Sequence, residues 1–452
     1  MLSSLSELSP PPRRFLYFSA FNVLSWQCIV GPAMILFARK IEMPPSWVGL
    51  LISFMPFSML LVLGTAPLVT RLGSKRVMFV AWLLRNLIMC SVFLVPVAMS
   101  RFGPGAGWYV LLGATLAFCL IRAAGVGGWF PWLHEVIPNA ERGAFFSTET
   151  ALVQILNVGI GVGLGLFLSG DPGLGRFLCI YSAGIASGFI SLYWMMQISG
   201  GGGTSQRVDL ASTFRQYRAA LEDRPFFFFI LTATLCFMAT SWFTSAQVLY
   251  LRDALAFSPR RIMMLMALGS AAILLTIRPW QRFADYSGSG RTMYKTLTSH
   301  SLGVLAFLAL PPDAPWSAYA VWPATVFVAV FGAAFWMAAH RAMLNFVKES
   351  HRVAYTNVWI VGAALAMGLS PICAGLAIDW WALWGFRLCF LMSGGLGLLC
   401  ALVSMWVIRD DPQAEGAHMR LMNPGLPVRT LARILWITAG MHESNRPPRP
   451  AP

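Results

Sequence analysis

PNAERGAFFST, residues Pro138 to Thr148, lies between two long apolar runs, and a degenerate copy returns later in the chain. Glu141-Arg142-Gly143-Ala144-Phe145-Phe146-Ser147 reads against His351-Arg352-Val353-Ala354-Tyr355-Thr356-Asn357, 210 residues further on. A short polar turn that carries an arginine and feeds an apolar helix, used twice, predicts a duplicated bundle of membrane helices. The expected fold is all-α: twelve transmembrane helices in two pseudo-symmetric six-helix bundles.

Composition sets the class. Of 452 residues, 57% are hydrophobic and only 11% charged, and the mean hydropathy is +0.65. A soluble chain carries about 25% charged residues. A span needs about 20 mostly apolar residues to cross a hydrocarbon layer roughly 30 Å thick, and this chain supplies that length repeatedly. It reads as a multi-pass protein of the lipid bilayer. The net charge of +15 is spread over short loops and the C-terminal region. That distribution points to membrane orientation, not to a nucleic-acid-binding face. All eight cysteines sit in apolar runs without a Cys-x-x-Cys pair, as small buried hydrophobes. No zinc-protease, nucleotide-loop or nucleophile-elbow motif is present, so no enzyme, cofactor or metal centre is expected. The opening MLSSLSELSPPPRR lacks a basic start followed by a short apolar core, so no cleaved signal peptide is expected.

Twelve spans are expected at about 15–38, 47–70, 77–100, 108–131, 144–168, 177–198, 225–251, 262–280, 292–311, 317–340, 353–378 and 384–408. An even number puts both termini on one side. With both cytoplasmic, 23 of the 33 lysines and arginines fall inside and eight outside, leaving Arg85 and Arg122 within spans. This excess predicts a plasma (inner) membrane protein with both termini in the cytoplasm. Trp108-Tyr109, Trp316 and Trp380-Trp381 stand where an outer aromatic belt would lie.

The chain then divides into a cytoplasmic tail (1–14), a first bundle (15–198), a cytoplasmic linker (199–224), a second bundle (225–408) and a basic cytoplasmic tail (409–452). In the linker, a flexible Gly200 to Gly203 run precedes Leu210, Phe214, Tyr217 and Leu221, spaced as one stripe of a short surface helix. In the tail, Val428, Leu431, Ala432 and Leu435 form a stripe beside Arg429 and Arg433. Either a helix on the anionic leaflet or a loose segment fits that pattern.

Three further pairs keep sequence order. Ser25-Trp26 matches Ser241-Trp242 at 216 residues, and Leu36-Phe37-Ala38-Arg39 matches Leu249-Tyr250-Leu251-Arg252 at 213. Arg71-Leu72-Gly73-Ser74-Lys75-Arg76 corresponds to Tyr286-Ser287-Gly288-Ser289-Gly290-Arg291 at 215. Parallel six-helix repeats are a transporter plan. Over roughly residues 12–410 the chain resembles the major facilitator superfamily. The loop Ala66 to Arg76 is similar to that family's G-x-x-x-D-R-x-G-R-R signature, with Ala66 for the Gly and Thr70 for the Asp. The second copy keeps Asp285 and Gly288 but has Tyr286 for the Arg. Arg122 followed by Gly125 resembles the family's R-x-x-Q-G segment without the Gln, and Trp132 to Gly143 resembles its loop between spans four and five. The resemblance implies gating loops at the inner mouth, involving Arg71, Gly73, Lys75, Arg76, Asp285, Gly288, Arg291, Arg142 and Arg352. Span five has Gly159, Gly161, Gly163 and Gly165 without the proline of the drug-antiporter motif; a glycine ridge of this kind permits close helix packing.

Ionisable groups inside a bilayer are costly, so they are the first functional candidates. Counting in from the inner ends of their runs, Arg122 lies about 14 Å deep and Arg85 about 12 Å. Two cations facing a central cavity favour an anionic or carboxylate-bearing solute. Alternatively each guanidinium serves as a structural contact between helices. Glu149 is the one carboxylate well inside a run; it is the candidate for proton coupling, against near-interface snorkelling. His300, at Arg85 plus 215, is either a titrating group or a structural hydrogen-bonder. Trp26 and Trp242 are placed to stack on a solute or to pack helices. Asn22, Gln27, Gln154, Asn157 and Gln247 are neutral candidates for the same cavity. The expected function is a secondary transporter that moves a small polar solute, an organic anion or sugar-like metabolite, by alternating access, with a monomer as the working unit. The alternatives are proton-coupled export of drugs or metabolites and a transporter-like sensor that moves nothing.

Overall fold

In the computed structural model the described residues are 9–137, 142–202, 210–348 and 352–408. The turn at Pro138–Glu141, its counterpart residue His351 and the basic tail lie outside them. The described residues are almost wholly helical, and no strand occurs among them. In chain order the first half contains α1 (Pro10–Ile29), α2 (Pro32–Lys40), α3 (Pro45–Ser58), α4 (Val62–Leu72), α5 (Ser74–Met89), α6 (Val95–Phe102), α7 (Pro104–Val126), α8 (Trp129–Val136), α9 (Arg142–Phe167) and α10 (Leu174–Met196). The linker helix is α11 (Leu210–Glu222). The second half contains α12 (Arg224–Leu249), α13 (Pro259–Ser287), α14 (Ser289–Ala306), α15 (Ser317–Phe346), α16 (Arg352–Trp381) and α17 (Leu383–Val407).

Several helices open on proline, at Pro10, Pro32, Pro45, Pro104 and Pro259. The missing N–H costs nothing in a first turn, where it has no partner anyway. Single turns of 3-10 helix join α3 to α4 and α5 to α6, so each pair forms one bent span. Eleven helices or joined pairs among the described residues are long and apolar enough to cross a membrane. The expected ninth span, α14, falls short of that measure because Thr292, Thr296, His300 and Ser301 are on it, all buried. Two of its hydroxyls turn back on their own helix: Thr292 Oγ1 donates to the Gly288 carbonyl at 2.8 Å and Thr296 Oγ1 to the Thr292 carbonyl at 2.7 Å. A polar helix of this kind can cross inside a bundle, shielded from lipid.

The halves repeat each other in backbone detail. Gly73 (φ 91, ψ 141) and Gly288 (φ 79, ψ 163) separate consecutive helices at matched positions, each in a region that only glycine enters cheaply. Two of the changes in offset between the copies have local causes. The first span breaks at Val30 and Gly31, where a Cβ on Gly31 would lie 2.3 Å from the Gln27 carbonyl oxygen; the corresponding α12 runs unbroken. After Arg252 the offset grows from 213 to 215, and there the second copy inserts a π turn, Tyr250–Ala254, which supplies one of the two residues. Such turns accommodate one extra residue in a helix.

The two bundles meet along two seams, α3 with α16 and α9 with α13. The first is a reciprocal clasp. A Cβ on Gly49 would lie 2.2 Å from the Pro371 carbonyl oxygen, and one on Gly375 would lie 2.5 Å from that of Pro45. In the second seam Gly161 abuts Ala267 and Gly165 abuts Met263 and Met264, while Gly159 and Gly163 face open space. These contacts lie toward the distal end of the molecule, the end opposite Pro10 and Val407. The cross-bundle polar contacts are distal too: Arg39 Nε to Asp253 Oδ2 at 3.0 Å, and the Ser46 amide to Asp379 Oδ2 at 2.9 Å. An aromatic belt surrounds this end, with Tyr109 65%, Tyr319 79%, Trp380 71% and Trp384 69% exposed.

At the proximal end, among the described residues, the polar contacts between spans stay within one bundle. Lys75 Nζ donates to the carbonyls of Met196 (3.0 Å) and Ile198, and Arg14 Nη1 to that of Gln197 (2.8 Å), together closing the end of α10. Asp285 pairs with Arg341. The linker helix forms as expected, with Arg218 bonded to Glu222 at 2.9 Å. Its buried side chains include Tyr217 and Ala220, whereas Leu221 is exposed. Tyr217 accepts from Asn357 Nδ2 at 2.9 Å and donates to the Leu63 carbonyl at 3.4 Å. The segment around Trp132 expected as a loop is the short helix α8, tied down by Glu135, which accepts from the Gly201 amide at 2.8 Å.

Candidate functional site

One face of α1 organises the middle of the first bundle. Ser19, Asn22 and Trp26 follow at helical spacing. Ser19 Oγ donates to Glu149 Oε1 at 2.9 Å. Asn22 Oδ1 accepts twice, from the Trp82 indole at 2.9 Å and from Arg85 Nη2 at 2.7 Å. Trp26 lies under Arg122, whose guanidinium carbon is 4.5 Å from the ring centroid. Gln27 Nε2 donates to Asn157 Oδ1 at 2.9 Å.

The two arginines occupy different settings. Arg122, on α7, is half-buried. Apart from Trp26, its close partners are two sulfurs on the second span, Met59 Sδ at 3.6 Å and Met55 Sδ at 3.8 Å. Among the described residues no carboxylate pairs with it. Thioethers are weak acceptors, so its strong donors are left for something else. Arg85, on α5, is 1% exposed and lies inside the first bundle. Its guanidinium carbon is 4.2 Å from the Trp82 ring and 5.3 Å from that of Phe118. Nε and Nη1 are buried without a hydrogen-bond partner.

Between the bundles is a cavity of about 280 Å³ whose polar lining includes Gln27, Asn157, Gln247, Ser270 and Thr325. The expected amides thus come from both halves, through α1, α9 and α12. Gln154, one turn proximal to Asn157, is half-buried, and so is Trp242, which packs on the main core. His300 is 3% exposed inside the second bundle. Its Nδ1 lies 3.2 Å from the Val328 carbonyl, Nε2 has no partner, and its ring meets Phe243 edge-on. The structure therefore brings Gln27, Asn157 and Gln247 to the inter-bundle cavity, sets Arg122 against Trp26, Met55 and Met59 of the first bundle, and places Arg85 and His300 within their own bundles.

Of the gating-loop residues, Arg71, Arg76 and Arg291 are exposed at the proximal end, and Gly73 and Gly288 are the two turn glycines. Arg142 and Arg352 open the described parts of α9 and α16, in keeping with their matched positions. Sequence reasoning missed Ser19, Met55, Met59, Ser270 and Thr325. Ser19 was findable, three residues before Asn22 on the same helix face; Met55 and Met59 look like any lipid-facing methionine until span four is placed beside them.

Comparison with known proteins gives the chain its relatives. The family model of the Major Facilitator Superfamily matches residues 229–439. No curated protein sequence matches significantly. The fold is similar to that of the nucleoside transporter NupG, at TM-score 0.68 and 12% identity over 88% of this chain and 100% of that one. It is similar to a bacterial homologue of the iron transporter ferroportin in the inward-facing state, at TM-score 0.68 and 15% identity over 89% of this chain and 100% of that one. It is also similar to a D-xylose-proton symporter, at TM-score 0.66 and 11% identity over 88% and 98%. The second half of the chain thus matches the Major Facilitator Superfamily model, and the chain as a whole has the paired-bundle fold of these transporters.

Proposed function

We propose that this protein is a secondary or facilitated carrier that moves a small polar solute across the plasma (inner) membrane by alternating access, with both termini cytoplasmic and Arg122 as the anchor for an acidic group on the solute. The observation that carries the reading is the state of Arg122: a guanidinium at mid-span, backed by an indole, touched otherwise by sulfur and unmatched by a carboxylate. A guanidinium forks onto carboxylate or phosphate. The Gln27, Asn157 and Gln247 amides beside the inter-bundle cavity are suited to the hydroxyls of a sugar-like or organic-acid metabolite. The distal seams are closed, so the solute is expected to enter and leave this state from the proximal side. A monomer is a sufficient unit, since both halves of the cavity come from one chain.

Solute uptake into proteoliposomes, screened over organic acids and sugars, tests this. A charge-assisted hydrogen bond contributes about 1.5–3 kcal/mol. Arg122→Gln is therefore expected to weaken apparent affinity about ten- to a hundred-fold while the protein stays folded. Unchanged uptake in that variant removes the anchor, and ligand binding without flux turns the reading to a sensor. The Ser19–Glu149 contact favours a second reading, proton-coupled exchange. A pH dependence of flux that disappears in Glu149→Gln carries it; a pH profile that survives sinks it.

A further inference from the structure

At the distal end, away from the inter-bundle cavity, two adjoining clefts open beside the start of α13. One, of about 460 Å³, is lined by Phe257, Arg261, Ala318, Tyr319 and Trp322. The other, of about 490 Å³, is lined by Gly170, Ser258, Arg260, Arg261, Met264 and Trp322. Arg261 and Trp322 belong to both. We propose that the pair is a binding site for one anionic phospholipid, with the phosphate diester held by Arg260 and Arg261 and the glycerol and upper acyl chains resting on Trp322, Tyr319 and Phe257.

Three observations lead there. The first is uncompensated charge. Arg260 and Arg261 are exposed neighbours, and neither forms an ion pair among the described residues, whereas Arg39 and Lys40 on the same end both do. The one charge-related contact of Arg261 is with the ring of Phe257, 5.7 Å away. The second is level. Tyr319 is 79% exposed and stands in the aromatic belt with Trp316, Trp380 and Trp384. Such belts mark headgroup depth, so the clefts open where lipid phosphates lie and where a soluble anion is scarce. The third is chemistry. The walls combine two cations with aromatic and thioether surface, which complements a molecule charged at one end and apolar at the other. A wholly polar anion would leave Trp322 and Met264 unused. Because Gly170 is on the first bundle and the remaining lining residues are on the second, the lipid spans the closed distal seam.

Native mass spectrometry of the full chain in a non-ionic detergent tests the proposal, using phosphatidylglycerol, phosphatidylcholine of the same acyl chains, and free glycerol phosphate. Two arginines near an anionic lipid predict about thirty-fold stronger retention of phosphatidylglycerol than of phosphatidylcholine. R260Q/R261Q is expected to abolish that preference, and R260K/R261K to keep most of it, which separates lost charge from lost fold. Arg101→Gln, exposed on the same end, is expected to change nothing. Equal retention of the two lipids, full retention by R260Q/R261Q, or an equal loss on Arg101→Gln overturns the site. Displacement of the lipid by millimolar glycerol phosphate overturns its assignment to lipid. None of these outcomes depends on solute flux, so the carrier reading stands or falls separately.

Discussion

Asn22 receives two donors on one oxygen, the Trp82 indole and the Arg85 guanidinium. Removing that acceptor leaves a buried N–H and most of a buried cation without partners, at a cost of about 1–3 kcal/mol or more. Asn22→Leu is therefore expected to lower the melting temperature in detergent. Arg85→Met in the same background should restore much of it, because an unpaired buried charge is worse than an apolar side chain of similar length. A melting temperature unmoved by Asn22→Leu would mean that Arg85 has another partner. At this scale the sequence was half legible. Rarity in apolar runs picked out Arg85, Arg122 and Glu149, since the cost of burying charge does not depend on knowing the fold. It could not separate a fully buried arginine, Arg85, from a half-buried one, Arg122. That difference is set by which helices stand next to α5 and α7.

Helices carry the next set of consequences. In the α9–α13 seam a Cβ on Gly161 would lie 2.9 Å from Ala267 Cβ, while one on Gly163 would meet nothing within 4 Å. Gly161→Leu should wedge the seam apart and raise labelling of Gln27→Cys by a membrane-impermeant thiol reagent added from the distal side. Gly163→Leu should leave labelling at background. Equal labelling in both variants would remove the seam from the closure. The joint between linker and second bundle predicts a pH effect. Lys348 Nζ lies 2.7 Å from Asp223 Oδ2, and Tyr355 donates to the same oxygen at 2.7 Å. The Lys348 hydrogen bond, more than that of Tyr355, holds the Asp223 carboxyl below the usual carboxylate range, and the same contact holds Lys348 above its ordinary value. A depressed carboxylate contributes stability above its unfolded pKa of about 3.9 and loses it as pH falls through the lower folded value. The raised lysine contributes below about 10.4 and loses stability as pH rises through its folded value. Asp223→Asn should thus make the acid-side fall in melting temperature shallower and leave the range from about pH 6 to 9 flat. Lys348 is 62% exposed, so the effect is small. Helix existence was readable from apolar run length. The short α8 was not, because Pro131 sits inside it, and α14 was placed correctly although it is too polar for a hydropathy measure.

Across the whole molecule, the direct polar ties between spans of different bundles gather at the distal end, and at the proximal end the bundles are joined through Tyr217 of the linker helix, which bonds Leu63 and Asn357. Arg39–Asp253 is the one distal ion pair among the described residues that joins the first span to the seventh. Both side chains are 22% exposed, and a partly exposed pair contributes up to about 1 kcal/mol. Asp253→Asn should therefore shift the balance between distal-closed and distal-open forms by no more than about five-fold, read as a longer-distance population between spin labels on the distal ends of α3 and α16. No change in the distance distribution would make the pair a bystander. The duplicated plan was legible from four short matches in sequence order, one of which falls where the backbone does something costly. Gly73 and Gly288 share a torsion that only glycine takes cheaply. Glu42 (φ 60) and Ala256 (φ 52) are also matched, each a left-handed residue between the first two spans of its half, and they share no chemistry at all. Ancestry here is kept in dihedral angles after the letters have drifted apart. A comparison of one half with the other by handedness along the chain would find kinship at places where a comparison by residue identity reads noise.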